Sequence, residues 1–91
     1  MHVVYVIQNS NTFEIYVGQT NDLKRRVKEH NTGFNRSTHR KNHDGKWILV
    51  YAEAYRNRDD AKEREAKLKQ RGSAKHWLKN RLRRSFLRTK R

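Results

Sequence analysis

Residues 2–18 hold two runs rich in β-branched and aromatic residues, HVVYVIQ and FEIYVG, with only the turn-forming cluster NSNT between them. Two such runs so close in sequence bury their apolar side chains most directly as an antiparallel hairpin. Symmetric closure about Ser10 and Asn11 sets Gln8 against Phe13 and Tyr5 directly opposite Tyr16, with Cβ atoms roughly 5 Å apart on one sheet face. Opposed tyrosines stabilise sheets with no chemical role at all, so the pair alone does not make a site.

Immediately after Gly18 the spacing turns helical. In TNDLKRRVKEHN, Thr20 or Asn21 can cap the N-terminus, Asp22 suits the first turn, and Leu23, Val27 and His30 share one stripe. Arg26 lies at the edge of that stripe, whereas Arg25 faces the opposite way, toward solvent. Arg26 can snorkel or join an ion pair, and His30 can be a satisfied core histidine. The polar stretch TGFNRSTHRKNHDG reads as a loop of the length that often carries function.

KWILVYAEAY reads as a third strand, and Asn57, with Asp60 three residues on, opens the helix DDAKEREAKLKQR. Gly72 stops it, and Ser73 can cap a third helix, SAKHWLKNRLRR. The order is β-β-α-β-α-α, an α+β class in which helices cover a small three-stranded, mostly antiparallel sheet. With no linker-like segment in 91 residues, we expect one domain over 1–83 and a basic C-terminal tail over 84–91. A domain this small buries only about 60 to 70% of its unfolded surface, which leaves little room for a deep pocket.

Charge decides the class of partner. The chain has 23 Lys and Arg against 9 Asp and Glu, a formal net charge of +14, and such an excess repels itself unless a polyanion binds. DNA, duplex or branched, is the expected partner, with RNA ranked below it. A membrane is not expected, because no long apolar stretch is present. There is no cysteine, so thiolate zinc sites and disulfides are excluded, and the N-terminus lacks a signal-peptide layout, which points to the cytoplasm. Among the five histidines only His39 and His43 stand close together, too few ligands for zinc.

In the second helix Ala61, Glu65 and Leu68 share one face, so Glu65 interrupts an apolar stripe while Glu63 points elsewhere. A carboxylate there needs a partner, either an arginine from the first helix or a divalent cation. Magnesium suits the second case because one or two carboxylates plus phosphate and water complete its shell.

These residues also carry a resemblance. VVY at 3–5 and YVG at 16–18, followed by Thr20, Leu23, Arg26, His30 and Asn31, resemble the first motifs of the GIY-YIG nuclease family. STHR before KWILVY, and Glu65 within AKEREAKLK, resemble its third strand and metal-bearing helix. Val3 stands in place of the first motif's glycine, and Gln19 where excision-repair members tend to have lysine. The likeness covers nearly all of residues 3–80. It implies a metal-dependent endonuclease that hydrolyses DNA phosphodiester bonds, with the substrate's structure as a basis of selection and repair, recombination or mobile elements as the setting. Tyr5, Tyr16, Arg26 and His30 would be catalytic, and Glu65 would hold a single Mg2+ or Mn2+. A phenol with its ordinary pKa near 10 is a poor base, so Tyr5 would need Arg26 and the metal to favour phenolate. Lys24, Arg25, Lys28, Arg36, Arg40, Lys41, Arg81 and Arg84 are expected to meet phosphates, and Asn80 is placed similarly to a late asparagine of the homing-endonuclease branch. The alternative is a basic nucleic-acid-binding domain that keeps this scaffold without cutting.

Overall fold

A computed structural model of the chain describes residues 1–32 and 45–70. Within them lie strands β1 (His2–Asn9), β2 (Ile15–Thr20) and β3 (Trp47–Tyr55) and helices α1 (Leu23–Thr32) and α2 (Arg58–Lys69). The order β-β-α-β-α gives the expected α+β fold. The sheet order is β2-β1-β3, with both neighbours antiparallel to the central β1. The third helix expected from Ser73 and the basic tail lie outside the described residues.

β1 is buried continuously from Val4 to Asn9, which a strand reaches only when both of its faces are covered. Alternate side chains then serve separate layers. Tyr5, Ile7 and Trp47 pack with Val3, Tyr16, Leu23 and Val27, the contribution of α1. Val4, Val6 and Val50 pack with Ala61 and Leu68 of α2 and with Ile15, Val17, Tyr51 and Tyr55. β3 serves both layers through an irregularity in its pairing. Val6 pairs with Tyr51 but Ile7 with Leu49, so Val50 is an extra residue that turns the strand's two ends to opposite layers.

The hairpin does not close as the symmetric turn implies. Tyr5 pairs with Gly18, Gln8 with Ile15, and Tyr16 with Ile7. The cause is a longer connection: Asn9 and Glu14 close it, with the Asn9 N–H donating to the Glu14 carbonyl at 2.9 Å. Asn9 Oδ1 accepts from the Asn11 and Thr12 N–H groups, both at 2.9 Å. Phe13 turns the chain back with φ of 63°, a left-handed conformation costly for a bulky residue. The register therefore slips by two. Because side chains alternate with period two, Tyr5 and Tyr16 still share a face.

At α1 the cap is Asp22, neither Thr20 nor Asn21: the Arg25 N–H donates to Asp22 Oδ1 at 3.2 Å. Thr20 acts one step earlier, its Oγ1 accepting from the Asp22 N–H at 3.0 Å. α2 starts as expected, with Asn57 Oδ1 accepting from the Asp59 N–H at 2.7 Å. Among the described residues no helix is long and apolar enough to cross a membrane.

Candidate active site

The site is built around Tyr5, fully buried on the middle strand. Its partner Gly18 matters by what it lacks. A Cβ at Gly18 would stand 2.5 Å from Tyr5 Oη and 3.0 Å from Tyr16 Cε2, so the phenol lies in space that any other residue would fill. Tyr16 is the diagonal neighbour, its ring centroid 6.4 Å from that of Tyr5 and tilted by 41°. The motif YVG made Gly18 visible but gave it no role; the available signal was a glycine inside a strand, which marks close approach.

His30 joins the two rings. It is fully buried, its Nε2 is 2.8 Å from Tyr5 Oη, and its ring centroid is 5.0 Å from Tyr16 and 5.7 Å from Tyr5. The next residue holds the helix end in place. Asn31 Oδ1 accepts from the Trp47 N–H at 2.7 Å, and Asn31 Nδ2 donates to the Trp47 carbonyl at 3.0 Å. This two-point bond copies a strand pairing and ties α1 to the start of β3, so the His30 ring sits over β1. Helical spacing gives no hint of it.

Arg26 approaches the same cluster from one turn earlier, close enough for its charge to act on the Tyr5 phenol. Its Nε is 3.2 Å from Glu29 Oε1, yet that N–H is buried and has no hydrogen-bond acceptor among the described residues. A guanidinium with an unused donor beside a phenol is ready for an anion. Arg25 is 60% exposed and pairs loosely with Glu29, and Lys24 and Lys28 are exposed on the same helix.

The electrostatics differ from the expectation for Tyr5. Burial pushes the phenol well above its ordinary value, with Tyr16 and the Glu65 charge adding to the rise; Arg26 opposes it without prevailing. Tyr5 is therefore a protonated phenol in the free protein, not a phenolate. His30 moves the other way, down to about 4, first through burial and then through the Arg26 charge. A neutral imidazole thus faces a neutral phenol at 2.8 Å, and the tautomer decides which of them donates.

Glu65 pairs with neither first-helix arginine. Its Oε2 lies 2.9 Å from Lys69 Nζ, one turn on in α2, and that ammonium also stands 6.0 Å from the Tyr16 ring centroid. α2 therefore brings the acid toward the two phenols, close enough for its charge to act on Tyr5. Among the described residues no three His, Asp or Glu side chains are grouped to hold a metal ion. One partly buried carboxylate does not suit zinc. It does fit a hard divalent ion that takes most of its shell from phosphate and water.

Of the expected phosphate-binding residues, Lys24, Arg25 and Lys28 are exposed on α1. Arg36, Arg40, Lys41, Asn80, Arg81 and Arg84 lie outside the described residues.

A model of the GIY-YIG catalytic domain matches residues 1–84, and the chain belongs to that family. Neither a curated protein nor a solved structure matches it. Family membership points in general terms to a nuclease, to DNA as its partner and to divalent-metal chemistry.

Proposed function

We propose that the protein is a metal-dependent endonuclease that hydrolyses a DNA phosphodiester bond at the Tyr5–His30 pair. The observation that carries this reading is the meeting of buried Tyr5 and His30 with half-buried Tyr16 and Arg26 in one cluster, with the Glu65 charge felt at its centre. The buried Arg26 donor braces the scissile phosphate, where its planar fork suits two oxygens. The Tyr5 hydroxyl orients the attacking water and takes its proton as the phenol proton moves to His30 Nε2. Water oxygen bonds to phosphorus, and the bond from phosphorus to the 3′ oxygen breaks. A neutral imidazole can receive that proton, and an arriving phosphate raises its affinity for it by offsetting the Arg26 charge. Tyr16 packs against both rings and keeps them aligned.

Glu65 would hold Mg2+ or Mn2+, whose charge, when it is bound, steadies the phosphate and the departing oxygen. Lys69 serves as counter-ion to Glu65 in the free protein. Lys24, Arg25 and Lys28, with Arg36, Arg40, Lys41, Arg81 and Arg84, would supply contacts to backbone phosphates, which bind without reading sequence. Selection among duplex, nicked and branched DNA is part of this proposal, and so is a setting in repair, recombination or mobile elements.

Incubation with supercoiled plasmid and with branched DNA tests the reading. Nicks in the presence of magnesium and none with EDTA support it. Tight binding without nicks favours a non-catalytic domain on the same scaffold, a reading that the net charge of +14 would equally serve.

A further inference from the structure

A second polar cluster, half-buried, lies between β3 and α2. Glu53 receives Arg64 Nε at 2.9 Å on Oε1 and Arg64 Nη2 at 3.2 Å on Oε2. The Tyr55 hydroxyl donates to Oε1 at 2.5 Å, and the Tyr51 hydroxyl donates to Oε2. Each carboxylate oxygen thus accepts two hydrogen bonds, near the limit of its lone pairs. Such a carboxylate is closed to metal or substrate. Burial disfavours its charged form, yet the four donors and the Arg64 charge hold the Glu53 carboxyl below the usual carboxylate range, and burial with Glu53 pushes Tyr55 up to about 12.

The position of Arg64 gives the cluster its consequence. Arg64 and Glu65 are consecutive and so point about 100° apart around the helix. Ala61 and Leu68, the buried stripe of α2, lie between them. Arg64 flanks that stripe on the β3 side, where Glu53 grips it, and Glu65 flanks it on the side of Tyr16 and Lys69. An alanine and a leucine alone allow a helix to roll on a sheet, whereas a bidentate pair at one flank does not.

We infer that Glu53 and Arg64 are a positioning pair that sets the rotation of α2 and so aims the Glu65 carboxylate at the Tyr5–Tyr16 cluster. This rests on the reading of Glu65 as the metal-binding acid. Arg64 touches neither substrate nor metal; it acts through the helix.

Mn2+ binding followed by electron paramagnetic resonance, together with single-turnover nicking across a magnesium titration, tests the pair. Arg64→Lys keeps the charge and loses the fork. It should weaken Mn2+ binding and slow nicking by about 10- to 100-fold, as supporting residues around metal ligands commonly do, while DNA affinity stays within about twofold because phosphate contacts are untouched. Should Arg64→Lys fail to fold, Tyr55→Phe, which removes one of the four donors, carries the test through a smaller loss in the same two readouts. A lowered melting temperature with unchanged Mn2+ affinity and rate overturns the inference and leaves a purely structural pair. Glu65-dependent Mn2+ binding by a wild-type protein that never nicks defeats the nuclease reading alone, and the pair is then judged on Mn2+ affinity. Mn2+ binding that ignores Glu65 defeats both.

Discussion

His30 is an imidazole with no exposed surface whose pKa is pushed from 6.5 to about 4, and this fixes how stability must vary with acidity. Between those two values the unfolded chain binds more protons than the folded one, so stability rises with pH and is lost as pH falls from about 6.5 toward 4. The full shift corresponds to about 3 kcal/mol at 1.36 kcal/mol per unit. Integrated from about pH 7 down to about pH 4.5, it removes about 2 kcal/mol, a large share of a small domain's stability. Glu53, held below its ordinary range, adds its own loss mainly below 4.5. Urea unfolding followed by far-UV circular dichroism across this window gives the slope, with His30→Gln as the reference because it cannot titrate. The wild type should lose about 2 kcal/mol more than the variant over the window. A folded-state His30 that titrates near 6.5 by NMR, or a variant with the same slope as the wild type, refutes the reasoning.

Gly18→Ala places a methyl 2.5 Å from Tyr5 Oη and should cost about 1–3 kcal/mol of stability by overpacking. Its nicking rate should fall further than that loss explains, because the phenol must leave His30; an unchanged rate counts against the Tyr5–His30 pair. Asn31→Ala leaves the Trp47 N–H and carbonyl without the bonds they make now and should lower stability in urea by about 1–3 kcal/mol. DNA affinity should fall with a log-log salt slope of roughly −4 to −7 if about five to eight phosphates are contacted, and a flat response would remove the backbone footprint.

The elements of this fold are written locally, whereas their joints are not. The β-branched runs and the capped helix beginning at Asn57 follow from residue type and spacing, and the period of two kept Tyr5 and Tyr16 on one face even though the register slipped. The slip itself came from Phe13, which adopts a left-handed conformation that its side chain does not advertise. The extra residue Val50 in β3 is likewise silent in sequence, because an apolar residue reads the same on either layer. At the site, helical spacing brought Arg26 and His30 to the edge and interior of one stripe. It could not reveal Asn31 bonding a strand it precedes by 16 residues. The direction of the Tyr5 shift was also hidden, since burial outweighs Arg26 only once the phenol is seen wedged against Gly18. Glu65 stood out as an acid in an apolar stripe, but its partner Lys69 is an exposed lysine like many others in the chain.

The most direct measurement is single-turnover cleavage of supercoiled DNA by purified Glu65→Ala beside the wild type, at equal DNA occupancy and in excess magnesium. The account predicts a wild type that nicks and a variant that folds, binds DNA with similar affinity and is slowed by about 10²- to 10³-fold or more. Cleavage by Glu65→Ala at the wild-type rate would contradict it.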